Sequence, residues 1–250
     1  MKTIKLSEVI GKGYNRFWNS KKRYVVCKGS MGSKKSKTSA LWHITKVIEY
    51  PESNVLVIRE VGRTLKDSCF SDLQWAIHKL GVDKYWKATV SPMELTYLPT
   101  GQKILFRGLD DPLKITSISV PVGLICFLWI EEAYEITKES DFDMLDESVR
   151  GELPDGYFKR FSITFNPWTE HHWLNKRFFD TPDDDILALT TTYLCNEWLD
   201  DSDRSLLDKM KTRNPRRYQV TRLGNWGVID CLVYETGEKK SSLYQISRAA

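Results

Sequence analysis

Apolar positions in this chain alternate between two rhythms, and the alternation predicts the elements. Tyr24-Val25-Val26-Cys27 is a short apolar run that reads as a strand. Ala40, Leu41, Ile44, Val47 and Ile48 then recur at helical spacing, predicting a helix from near Lys35 to before Pro51. Asn54 to Arg59 is a second β-rich run. Thr64-x-x-Asp67 has the form of a capping box ahead of Phe70, Leu73, Ala76, Ile77 and Leu80, which share one helical face. This βαβ alternation predicts an α/β sheet. Residues 86–106 change character: two apolar runs flank Pro99-Thr100-Gly101, as in a β-hairpin or an antiparallel edge, and Ile115 and Ile118 follow a turn-rich loop. Leu124 to Ile130 is unbroken and apolar, the signature of a strand buried on both faces, with a helix expected after it to about Arg150. Phe161 to Phe165 is a strand closed by Asn166-Pro167, and Trp173-Leu174 with Phe178-Phe179 reads as helical. Ile186 to Tyr193 is a further strand, and Leu206 to Lys211 a helix ended by Asn214-Pro215. Leu6 to Trp18 reads as a short helix or helical turn with Val9, Ile10, Tyr14, Phe17 and Trp18 on its apolar side, either a strap on the sheet edge or an aromatic lid against a purine base.

Between the first strand and the first long helix lies Lys28-Gly29-Ser30-Met31-Gly32-Ser33-Lys34-Lys35-Ser36-Lys37-Thr38. Strand, glycine-containing loop, Lys-Ser and helix is the order of a phosphate-binding loop. Glycine lets backbone N–H groups turn inward around a phosphate, and the helix N-terminus adds partial positive charge. The usual spacing is G-x-x-x-x-G-K-[ST]. Gly29 opens it and Lys35-Ser36 closes it, but Lys34 stands where the second glycine belongs. On pattern alone the stretch is a nucleotide site or a basic turn capping a helix.

Two further stretches carry chemistry. Glu131-Glu132 ends the buried apolar strand, and adjacent carboxylates there repel each other unless a cation relieves them. Sites in parallel sheets lie at the carboxyl ends of strands. Glu131 is therefore a candidate magnesium ligand and Glu132 a candidate base for an attacking water; the plain alternative is acids favouring a helix start. Asn166 could reach a γ-phosphate or serve an ordinary turn. Arg59, Arg63 and Arg107 are candidate arginine fingers. His171-His172 lacks zinc-site spacing, and Asp183-Asp184-Asp185 reads as a solvated loop.

Bulk properties narrow the class. The chain has 250 residues, 41% hydrophobic and 28% charged, with a net charge of +4, values of a globular protein without a strong polyanion signature. Five scattered cysteines without C-x-x-C spacing fit a reducing, intracellular compartment. The N-terminus lacks the apolar core of a signal peptide, and no apolar run is long enough to span a membrane.

Taken together, the loop, Pro99 to Pro112, Trp129-Ile130-Glu131-Glu132-Ala133, Thr164-Phe165-Asn166-Pro167-Trp168 and Asn214-Pro215-Arg216-Arg217-Tyr218 resemble the large subunit of phage and prophage terminases, over roughly residues 20 to 235. The resemblance implies a P-loop NTPase of ASCE type: a mainly parallel sheet flanked by helices, with a β-hairpin insertion. It implies residues 1–22 as a helical strap, 23–230 as the ATPase domain, and 231–250 as a tail without the family's nuclease domain. It implies ATP and Mg2+ as cofactors, bound by Gly29, Ser30, Gly32, Ser33, Lys34, Lys35, Ser36 and Lys37. Ser36 and Glu131 would hold the metal, and Lys35, Glu132 and Asn166 would be catalytic or coupling residues. It further implies viral DNA packaging in the host bacterial cytoplasm, transiently on the procapsid. Double-stranded DNA, a small terminase subunit, the portal protein and identical copies in a ring would be the partners, with no membrane. Met31 stands where relatives commonly carry arginine, and Glu131 replaces the more general aspartate. A helicase-like translocase and an inactive remnant that only binds DNA or partners stay open as alternatives.

Overall fold

The computed structural model describes residues 5–109 and 118–228. The expected turn at Asp110-Asp111-Pro112, the apolar position Ile115 and the tail from residue 231 lie outside these. Among the described residues, eight strands form one sheet in the order β3-β4-β5-β2-β6-β7-β1-β8. They are β1 (Tyr24–Gly29), β2 (Ser53–Arg59), β3 (Trp86–Val90), β4 (Met93–Tyr97), β5 (Lys103–Gly108), β6 (Leu124–Glu131), β7 (Arg160–Phe165) and β8 (Ile186–Thr191). From β5 to β8 neighbouring strands are parallel, while β3, β4 and β5 pair antiparallel, as the pattern over residues 86–106 predicts.

The central strands are buried on both faces, and the period-2 geometry of a strand divides them between two cores. Val25, Cys27, Val55, Val57, Phe127 and Trp129 face α3 (Lys35–Glu49) and α4 (Ser71–Lys79). Val26, Leu56, Ile58, Leu128 and Ile130 face α5 (Glu139–Ser148), through Phe142 and Leu145. Helix, sheet, helix is the layering that βαβ connections require.

Several boundaries differ from the sequence reading, for local reasons. Leu6 to Trp18 is not one helix but two, α1 (Leu6–Ile10) and α2 (Asn15–Asn19), separated by Gly11 and Gly13 at positive φ. Val9, Ile10, Tyr14 and Phe17 bury in the core under α3, and the fully buried Arg160 donates from Nη1 to Phe17 O at 2.8 Å and Ser20 O at 3.2 Å. Thr64 and Asp67 form no capping box: the Thr64 hydroxyl turns back to Val61 O, and a π-turn over Lys66–Phe70 leads into α4. The segment after β6 is a single 3-10 turn, Ala133–Glu135, before α5 begins. The helix at Trp173 is three residues long, α6 (Trp173–Asn175), and β8 stops at Thr191 because Tyr193–Cys195 turns. Asn214-Pro215 both ends α7 (Asp201–Arg213) and starts α8 (Pro215–Leu223). The Asn214 side chain accepts the Arg217 N–H at 2.9 Å, and proline at the first helical position has no N–H to waste.

Candidate active site at the carboxyl edge of the sheet

Strand register brings the sequence candidates together. Glu131 of β6 lies level with Thr164 of β7, and Thr164 level with Cys27 of β1, so the carboxyl ends of three adjacent strands share one edge. The loop after β1 turns there into α3. Gly29 is required where it stands: a Cβ would lie 2.3 Å from Thr191 Oγ1 and 2.5 Å from Thr191 O. Ser30 N–H donates to Thr191 O at 2.9 Å and Met31 N–H to Thr221 O at 3.0 Å, so β8 and α8 both brace the loop. Gly32 and Lys34 are left-handed, with φ 73° and 71°.

Lys35 is buried, and its ammonium donates to Ser30 O at 3.0 Å and Gly29 O at 3.4 Å. The Asn166 amide donates to the same Gly29 carbonyl at 2.7 Å. Lysine and asparagine, far apart in the chain, thus meet on one backbone oxygen.

The Ser36 hydroxyl donates to Glu131 Oε1, and the Thr164 hydroxyl donates to Glu131 Oε2. Trp129 Nε1 donates to Glu131 Oε2 at 3.1 Å and to the Thr164 hydroxyl at 3.0 Å. Burial, with the neighbouring Glu132 charge, pushes the Glu131 carboxyl up to about 7. Glu132 is held at φ 52° by the turn after β6, and burial raises its carboxyl as well, against the opposing charges of Lys35 and Arg59. A hydroxyl and a desolvated carboxylate in direct contact, with only neutral donors on the carboxylate, are a hard-oxygen donor set suited to magnesium.

The other candidates divide. Lys37 pairs with Asp72 at 2.8 Å and lies 4.5 Å over the Trp75 ring, away from the loop. The Lys34 ammonium leaves the loop as well, for Glu197. Arg59 pairs with Glu135 at 2.8 Å, in the turn that carries Glu132. Arg107 donates to Phe106 O at 2.7 Å, and Arg63 is exposed on a 3-10 turn. Met31 is exposed. Beside the loop opens a cavity of about 390 Å³, walled by Ile10, Lys37, Thr38, Trp75, Asn196 and Trp198. Trp75 and Trp198 carry no sequence signal, because nothing local brings them to one cavity. Lys28 is a further residue of the site that the motif does not single out. Its buried ammonium donates to Gly224 O at 2.7 Å, and burial lowers it to about 8.

A loop of this shape at the end of a parallel strand, with an acid-ended strand one place removed across β7, defines a P-loop NTPase. The chain belongs to the phage terminase large subunit family, whose profile matches residues 21–225. It is 36% identical over 236 residues to the terminase large subunit of Bacillus phage SPP1, covering 90% of this chain and 54% of that protein. It is 31% identical over 230 residues to the PBSX phage terminase large subunit of Bacillus subtilis strain 168, covering 84% and 51%. The large terminase of a thermophilic bacteriophage, solved in complex with ADP, superposes with a TM-score of 0.65 at 18% identity, over 82% of this chain and 48% of that one. The chain spans about half the length of the curated relatives it matches.

Proposed function

We propose that this chain is the ATPase motor part of a phage DNA-packaging terminase, hydrolysing ATP to drive double-stranded DNA into a procapsid. The observation that carries the reading is the convergence of Lys35, Ser36, Glu131, Glu132 and Asn166 on one edge of the sheet. In this reading Lys35 exchanges its two loop carbonyls for the β- and γ-phosphates, and the loop N–H groups from Gly32 to Lys37 line the phosphate chain. Ser36 and Glu131 would hold a magnesium ion, which would supply positive charge toward the phosphates. Glu132 takes the proton of the water that attacks the γ-phosphate in line, and Lys35 neutralises the charge that develops. Because Asn166 shares the Gly29 carbonyl with Lys35, movement of the lysine leaves that oxygen to Asn166, which sits at the head of the Pro167-Trp168 segment. The base and ribose would occupy the cavity that Trp75 and Trp198 line. The ADP complex of the thermophilic phage terminase supports a nucleotide here.

Double-stranded DNA, a small terminase subunit, the portal protein and identical copies in a ring are the partners we assign, in the host cytoplasm and on the procapsid. DNA contact through phosphates would be salt-sensitive and sequence-tolerant. No helix among the described residues is long and apolar enough to cross a membrane.

Phosphate release measured with and without DNA tests the reading. Wild type should turn over ATP faster with DNA, and Lys35→Ala and Glu132→Gln should each lose about a hundredfold or more in kcat. No turnover by wild type, even with DNA and portal present, would sink it.

A further inference from the structure

We propose that Lys34 and Glu197 form a positioning pair that sets nucleotide affinity by holding together the two outer walls of the nucleotide cleft. The inference rests on the ATP site proposed above.

Lys34 occupies a left-handed position that glycine would take without strain, whereas a side chain there crowds its own backbone. What the lysine gains is reach. Its ammonium donates to Ile10 O at 3.3 Å, Lys12 O at 3.4 Å and Glu197 Oε2 at 2.5 Å, and it lies 4.6 Å from the centre of the Trp198 ring. The Lys34 side chain is 5% exposed and that of Glu197 33%, so a buried ammonium meets a carboxylate at the rim of the cleft. Glu197 completes the link: its other oxygen accepts the Lys12 N–H at 3.0 Å. The neighbouring Asn196 donates to Gly32 O at 2.8 Å. One ammonium therefore joins three pieces of chain: the end of α1, the phosphate-binding loop and the segment between β8 and α7.

Those pieces are the walls of the cavity beside the loop, where Ile10, Gly32, Lys34, Asn196 and Trp198 all line the space. The pair's hydrogen bonds go to Ile10, Lys12 and each other, and none reaches Glu131, Glu132 or Lys35. The pair thus acts on how well the cleft fits a nucleotide, and leaves the reacting end of ATP to other residues. The same geometry explains why lysine stands at the second glycine position: its backbone serves the loop while its side chain serves the wall.

A double-mutant cycle decides the matter, with ATP affinity read by calorimetry and KM and kcat by phosphate release. Glu197→Gln and Lys34→Gln should each raise KM and Kd for ATP about five- to tenfold, with the Glu197→Gln kcat within about twofold of wild type. The double variant should be no worse than the worse single one, and Lys34→Arg should recover most of the affinity. Unchanged affinity in Glu197→Gln overturns the pair, as do additive effects in the double variant. A fall in kcat and melting temperature with affinity preserved also overturns it. Lys35→Ala is the reference: if wild type neither binds nor hydrolyses ATP, the nucleotide reading itself has failed. If Lys35→Ala abolishes activity while Glu197→Gln leaves affinity unchanged, only the pair has failed.

Discussion

The carboxylate of Glu131 shows how single residues here are defined by partners far away in the chain. Its two oxygens are committed to different hydroxyls, Ser36 on one side and Thr164 on the other. Thr164 also accepts from the Trp129 indole, so its hydroxyl donates to the acid while accepting from the ring that holds the same acid. Ser36 is the expected metal-site hydroxyl; Thr164 orients the carboxylate from behind and is not legible in the sequence, where it reads as one more β-branched strand residue. Its role depends on the β6–β7 register alone. Groups that orient a metal ligand without touching the metal are commonly worth about ten- to a hundredfold in affinity. Thr164→Val keeps the shape and removes the hydroxyl. It should raise the magnesium concentration needed for half-maximal ATPase about tenfold, in a titration at fixed ATP. An unchanged magnesium dependence would show that Trp129 and Ser36 suffice to hold Glu131 without Thr164.

At the scale of elements, α3 carries both the proposed site residues Lys35 and Ser36 at its start and a buried histidine in its middle. His43 is fully buried, its Nδ1 bonded to Ser39 O at 2.7 Å and its ring stacked against Trp129 at 5.7 Å. Burial lowers its pKa from 6.5 to about 3, with the nearby Arg160 charge acting in the same direction. Between those two values the unfolded chain takes up a proton that the folded chain refuses. His43 therefore supports the fold fully above pH 6.5, and that support is lost as pH falls toward 3. Urea unfolding at about pH 7.5 and about pH 5 should show a drop in stability that is smaller in His43→Leu than in wild type, by the linkage of up to about one proton. An equal drop in both would assign the acid sensitivity elsewhere. The existence and order of strands are readable because each buried run is long and apolar against polar flanks. The helices after β7 are less readable. Trp173 to Asp180 is a three-residue helix and a π-turn shaped by packing, and Asn214-Pro215 serves two helices at once, where proline reads first as a stop. The acids, the loop and Asn166 are readable because each sits at the boundary between an apolar run and a turn. Lys34 is readable only as an anomaly, because its partner lies 163 residues further along the chain.

For the molecule as a whole, the far end of the described chain is built into the phosphate-binding loop. Thr191 at the end of β8 accepts from Ser30, Thr221 near the end of α8 accepts from Met31, and the carbonyl of Gly224 accepts from the Lys28 ammonium. Gly224 is also the point of closest approach. A Cβ there would lie 2.9 Å from the Gly29 Cα, 3.1 Å from Thr191 O and 3.2 Å from Ser30 N, all backbone atoms that cannot swing aside. A shift of α8 is therefore expected to press on the loop, and a coupling of that kind would act equally from nucleotide to helix. Gly224→Ala tests the connection, and Gly156→Ala separates it from backbone strain. Both glycines have positive φ, but a Cβ at Gly156 would meet nothing within 4 Å. Each substitution should cost about 1 kcal/mol or more in stability from the left-handed backbone alone. Only Gly224→Ala should also weaken ATP binding, by about tenfold in calorimetry, because only there does the added methyl press on the loop. Equal ATP affinity in the two variants would mean that the loop yields to α8 without changing its grip on phosphate, and the two ends of the domain would then be joined in structure but not in function.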